Sequence, residues 1–367
     1  MSVLPPRSAK LDLAVGFIGL WLAGGFLWDS WAHLHVGVES FFTPYHAAFY
    51  AAMLAGAIIV AGTSLRNRAR GYAGWALPPC YARALVGIPV FFLGGLGDLV
   101  WHTFFGVENR IEAVTSPTHL IIGCGVVLVL AAPIRSALGA RDTLRGLGAQ
   151  LPLLMALAAC LEFVHLGTSY AFDASAARID APPPALAGSL DYFTATAIEL
   201  YKTGTGVMIV LLQALIEMIF VVWLVSRFRL APGALTVFLV LGDGMMAAAL
   251  TNDRPMLVIH LAMAFVAGVV GDTLIARSRT AMRGGALQAF GFVVPLAYFG
   301  TYFALTIALG GTWWNWSLVG GVLVWSALAG AAIGTLACAP APGRVDVLAV
   351  PVPRHELETQ RFEQTAR

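Results

Sequence analysis

The stretch DSWAHLHVGVESFFTPYH, running from Asp29 to His46, closes one long apolar run and opens the next. Asp29 and His33 are four residues apart, so on a helix they stand one turn above each other on one face. His46 follows a short loop and lies behind Pro44, a residue favoured in the first turn of a helix. If the two apolar runs pack as an antiparallel hairpin, one carboxylate and two imidazoles converge at its turn. The stretch therefore reads as the polar end of a helix hairpin.

A second copy follows. Asp98 and His102 repeat the Asp-to-His step, and Gly106-Val107-Glu108 repeats Gly37-Val38-Glu39 at the same offset from the first His. Ser116-Pro117-Thr118-His119 repeats Thr43-Pro44-Tyr45-His46, with four extra residues before the last His. Chance rarely places so many matching polar residues in a chain this apolar.

Of the 367 residues 59% are apolar and only 11% charged, too little charge for a soluble surface of this size. The chain reads as an integral membrane protein whose first partner is the lipid bilayer. Its formal charge of +2 gives no reason to invoke nucleic acid. The four cysteines (Cys80, Cys124, Cys160 and Cys338) form no CxxC pair and read as thiols packing among apolar neighbours. The first apolar run follows Arg7 and Lys10 but is too long for a cleaved leader and lacks a small-residue cleavage site. It reads as a true first span.

Apolar runs of membrane-crossing length fall at roughly 11–34, 44–64, 82–104, 117–134, 148–170, 193–226, 232–250, 256–276, 287–310 and 313–337. The expected fold is all-α, a polytopic transmembrane helix bundle of about ten spans built from repeated hairpins. Residues 1–338 form the membrane domain: duplicated hairpins over 25–135, degenerate repeats over 148–276 and two further spans over 287–337. Residues 339–367, Pro-rich and then charged, read as a disordered cytoplasmic tail, with His355 a solvated bystander. Lys and Arg crowd alternate connections, at Arg66, Arg68, Arg70 and Arg83, at Arg135, Arg141 and Arg145, at Arg227 and Arg229, and at Arg277, Arg279 and Arg283. The positive-inside rule then places both termini in the cytoplasm of a bacterial-type inner membrane and the Asp/His motifs towards the outer face.

Later hairpins carry thinner sets. Glu162 and His165 share a helix face, but the Pro-rich loop after them offers no closing His. Asp243 and His260 are separated by the same seventeen positions as Asp29 and His46, with Ala247 where the middle His would fall, so they read as a degenerate pair. Glu39 and Glu108 are either loop carboxylates or partners of a ligand His. His35 and Glu112 read as interfacial, and Trp28, Trp31, Trp101, Trp313, Trp314 and Trp316 as an aromatic belt.

Asp29, His33 and His46, with Phe42-Thr43-Pro44-Tyr45-His46 and the following Phe49-Tyr50, resemble the copper motif in the C subunit of the membrane copper monooxygenases, the methane and ammonia monooxygenases. Asp98, His102 and His119 resemble that subunit's second site, where an Asn stands in place of Asp98; His102-Thr103-Phe104 also agrees. The likeness spans about residues 25–135 and is that of a distant relative. It implies two copper triads lining a membrane cavity, oxidation of a small apolar substrate by dioxygen, and electrons from quinol or a partner subunit. It also suggests a homo-oligomer.

By ligand type alone, two imidazoles and a carboxylate suit copper, zinc or iron(II) and leave positions open for water, dioxygen or substrate. An ionisable residue in a span is costly unless paired or metal-bound. The alternative for each triad is a hydrogen-bonded Asp–His anchor at a helix end, which does not account for a third His behind Pro each time. The other functional readings are a copper-handling or transport protein without turnover, and a structural subunit of a larger complex. No nucleotide loop, HExxH, or HxxxH and HxxHH boxes of membrane di-iron desaturases occur.

Overall fold

The computed structural model describes residues 4–36, 40–107, 115–168, 192–250, 254–278 and 282–338. These form ten helices and no strand: α1 (Ala9–His35), α2 (Pro44–Ala69), α3 (Ala84–Phe105), α4 (Pro117–Gly139), α5 (Leu147–Gly167), α6 (Tyr192–Arg227), α7 (Ala234–Leu250), α8 (Arg254–Ala276), α9 (Gly285–Leu309) and α10 (Trp316–Cys338). One 3-10 turn, Pro79–Tyr81, precedes α3. Among the described residues nine helices are long and apolar enough to cross a membrane. The remaining helix, α7, has 17 residues, at the short end of a spanning length. Every expected span thus meets a helix. The last begins at Trp316 rather than 313 because the side chain of Asn315 accepts the backbone N–H of Leu318 at 2.8 Å and starts the helix there.

Hairpins are the unit of packing: α1 lies along α2, α3 along α4 and α7 along α8. Two helices hold these units together. Helix α1 also touches α4, α5 and α7, and α5 touches α4, α6 and α7. The sequence of α5 accounts for its central place, since its middle is apolar all round and every residue from Pro152 to Ala159 is buried. Helix α2, by contrast, leaves Leu54, Ile58 and Leu65 exposed, a side suited to lipid.

Where hairpin helices approach most closely, a side chain would not fit. A Cβ on Gly25 would lie 2.9 Å from the backbone nitrogen of Phe49, and one on Gly125 would lie 2.6 Å from that of Phe91. Small residues at such crossings let helix backbones pack tightly in lipid.

Polar locks set the register at the Arg-bearing end. Asp12, 1% exposed, accepts from Arg7 Nε at 3.1 Å, Ser136 Oγ at 2.6 Å and Tyr81 Oη at 2.9 Å, tying α1 to α4 and to the 3-10 turn. Gln150 at the start of α5 donates to the Arg229 carbonyl at 2.8 Å and accepts from the Ala231 N–H at 2.9 Å, clamping the α6–α7 connection. Asp272 of α8 accepts the N–H groups of Leu235 and Thr236 at the start of α7, at 3.2 and 3.0 Å. The tail expected over 339–367, and Glu39, Glu108 and Glu112, lie outside the described residues.

Candidate metal centres

Each triad is built from a helix end and a helix start. In the hairpin of α1 and α2, Asp29 and His33 occupy the last turns of α1, and His46 is the third residue of α2. The Thr-Pro-x-His segment is a helix start in chemical terms. Thr43 is the N-cap, its hydroxyl accepting the His46 N–H at 3.2 Å, and Pro44 takes the first helical position. Ser116-Pro117-Thr118-His119 does the same for α4, with Ser116 Oγ accepting the His119 N–H at 3.4 Å. The recurring His therefore falls in the first turn, facing the end of the preceding helix.

The two triads share one geometry. Asp29 Oδ2 faces His33 Nε2 at 3.5 Å and Asp29 Oδ1 faces His46 Nε2 at 3.4 Å. Asp98 Oδ2 faces His102 Nε2 at 3.4 Å and Asp98 Oδ1 faces His119 Nε2 at 3.1 Å. Ring centroids are 6.1 Å apart at 56° in the first pair of imidazoles, and 5.9 Å at 58° in the second. In each triad one donor atom per residue lies within 4.8 Å of the others.

These spacings fit a shared cation. Donors bonded to one first-row ion at about 2.0–2.1 Å in tetrahedral array are about 3.4 Å from one another. A direct charge-assisted hydrogen bond closes to about 2.7–2.9 Å, shorter than all four distances. The outer nitrogens support the same arrangement. His46 Nδ1 meets the Phe41 carbonyl, and His102 Nδ1 meets the Gly106 carbonyl at 3.0 Å. A carbonyl only accepts, so Nδ1 donates in both rings, and Nε2 of each is the nitrogen that faces the carboxylate. Histidine ligands are commonly oriented by such backbone carbonyls.

The triads adjoin. The His46 and His102 rings are 6.5 Å apart, centroid to centroid, and nearly parallel, with Phe41 against both. Among the described residues the buried Tyr50 hydroxyl has no hydrogen-bond partner, and it lies within electrostatic range of both Asp98 and Asp29. His35, exposed beyond the first triad, bonds the Trp31 carbonyl and stacks on that indole.

The later hairpins depart from expectation. Glu162 and His165 do gain closing partners, from helices outside their own connection: His165 groups with Glu217 of α6 and Asp243 of α7. His260 is in none of these groups, and its Nδ1 meets the Met256 carbonyl of its own helix at 2.7 Å. The seventeen-residue separation is composed differently in the two hairpins. Eight residues separate α1 from α2 but only three separate α7 from α8, so His260 falls in the second turn of its helix instead of the first. Sequence reasoning missed Glu217. Its signal was present, as a lone carboxylate in the apolar run LLQALIEMIFVVW. Comparison with protein-family models, curated proteins and solved structures finds no match for this chain.

Proposed function

We propose that this chain is a copper-binding membrane protein similar to the monooxygenase C subunit, which oxidises a small apolar substrate arriving from lipid. The observation that carries the reading is the duplicated Asp–His–His geometry, with donor spacings matching those around a single ion. The resemblance in the motifs moves the choice among copper, zinc and iron to copper, as does the Irving–Williams order. Three protein ligands leave coordination positions open, and copper held there supplies dioxygen activation and one-electron chemistry.

The residues of the chain do the rest. Asp29 contributes one negative charge to the first triad, while the Phe41 carbonyl fixes which nitrogen of His46 faces inwards. The second triad is more tightly held, since Thr118 donates to Asp98 Oδ1 at 2.7 Å, and it serves as a structural or electron-transferring site. Quinol or a partner subunit supplies the electrons. The rings of His46 and His102 supply the short route between the sites.

Metal analysis of the detergent-purified chain tests this, comparing wild type with His33→Ala and His102→Ala. Copper near two equivalents, falling by one in each variant, is the expected result and leads to an oxygenase assay with quinol. A wild-type chain that takes up no copper after reconstitution overturns the reading and leaves the Asp–His pairs as helix anchors.

A further inference from the structure

Away from the two triads, four ionisable side chains meet inside the bundle. His165 Nε2 is 3.3 Å from Glu217 Oε1, and its Nδ1 is 3.7 Å from Glu162 Oε1. Donor atoms of His165, Glu217 and Asp243 lie within 4.8 Å of one another. All four are deeply buried, at 1% exposure for Glu162 and His165, 5% for Glu217 and 2% for Asp243.

Their depth follows from the Gln150 clamp. Gln150 to Glu162, Arg229 back to Glu217 and Ala231 on to Asp243 are each twelve positions. Because Gln150 holds Arg229 and Ala231 at its own level, Glu162, Glu217 and Asp243 lie twelve, ten and nine helical residues in along α5, α6 and α7, at similar depths of roughly 14–18 Å. That is the interior of a hydrocarbon layer about 30 Å thick. Carboxylates at such depth are costly and mark functional sites.

Among the described residues no Lys or Arg is ion-paired with these carboxylates, whose ion-pair partner is His165. Helices α5, α7 and α9 contain no Lys or Arg, and those of α6 lie ten or more residues from Glu217, at Lys202 and Arg227. Among the described residues, nothing meets hydrogen-bond geometry at either oxygen of Glu162, Glu217 or Asp243. Gln213, one turn before Glu217 and 6% exposed, has neither amide atom bonded, and Tyr298 of α9 stands beside Asp243 and Glu217. Three carboxylates with unused lone pairs around one imidazole form an oxygen-rich donor set, harder than the two-imidazole triads.

We propose that His165, Glu217 and Asp243 form a third metal site, for a divalent cation of the manganese, iron(II) and zinc class, independent of the two triads, with Glu162 facing the other nitrogen of His165. A dication offsets most of the three negative charges and draws on the carboxylate lone pairs. Tyr298 stands where it bonds the Asp243 carboxylate, and Gln213 shares the Glu217 face of α6 one turn away.

The test uses the full chain in detergent, stripped with chelator and offered Mn2+, Fe2+ or Zn2+ singly. In a His33→Ala/His102→Ala double variant, one equivalent of at least one ion is expected to remain and to raise the melting temperature with ion concentration. Adding Glu217→Gln or Asp243→Asn to that background removes the equivalent, while either substitution alone leaves copper at the triads unchanged. The site is overturned if the double variant binds none of the three ions, or if binding survives both substitutions. An infrared band of protonated carboxylic acid that persists with the ion present, and disappears in Asp243→Asn, also overturns it, because protons then neutralise the cluster. Failure of copper binding at the triads leaves these outcomes readable, since the double variant already lacks them.

Discussion

At the scale of single residues, a threonine hydroxyl distinguishes two otherwise matching triads. Thr118 donates to Asp98 Oδ1 at 2.7 Å, whereas the matching position in the first triad is Tyr45, whose ring packs edge-on to Trp28 at 5.1 Å. Removing a hydrogen-bond partner of a ligand carboxylate typically costs about 10- to 100-fold in metal affinity. Thr118→Val keeps the shape and removes the donor, so metal affinity at the second triad is expected to fall by about that factor while the first is unchanged. A competitive chelator titration reads the two sites separately; equal weakening of both would show that Thr118 acts on packing instead. The six triad residues were legible in the sequence because their geometry is local, one helical step plus a capped turn start. Glu217 was not, because the residues it meets lie on two other helices and only the packing of α5, α6 and α7 brings them together.

At the scale of elements, each triad depends on how closely its two helices run. Gly25 faces the backbone of Phe49 one turn below Asp29, and a Cβ there would lie 2.9 Å from the Phe49 nitrogen. Backbone cannot step aside as a flexible side chain can, so Gly25→Ala forces α1 and α2 apart, at a cost of about 1–3 kcal/mol. The expected result is a lower melting temperature together with loss of metal from the first triad, the second remaining loaded. Gly62→Ala on α2, which meets nothing within 4 Å, serves as the neutral control. A Gly25→Ala chain with unchanged stability and full occupancy would show that the hairpin has slack. Helix identity was readable from apolar run length, and helix starts from Thr43-Pro44 and Ser116-Pro117. Which hairpins lie side by side was not, because in lipid the apolar faces that pack and those that meet acyl chains have the same composition.

At the scale of the whole molecule, the two ends of the bundle differ in kind. One end carries the Asp12 and Gln150 locks and most of the arginines; the other carries both triads and the indoles near them. Asp29 lies seventeen positions along α1 from Asp12, about 25 Å of helix, so the triads stand near the far boundary of a layer about 30 Å thick. The four-residue cluster lies deeper. Such a division predicts an orientation, with the Lys- and Arg-bearing loops expected on the cytoplasmic side. In a chain freed of its four cysteines, Ser40→Cys and Arg70→Cys place single thiols at exposed positions of opposite ends. An impermeant thiol reagent applied to intact cells is expected to label Ser40→Cys alone, and Arg70→Cys only after the membrane is opened. The reverse pattern would put the triads in the cytoplasm, where thiol buffers compete for copper; the oxidation of a lipid-borne substrate with outward-facing sites would then fail, whereas the deep carboxylate cluster, close to equal reach from either side, would be unaffected.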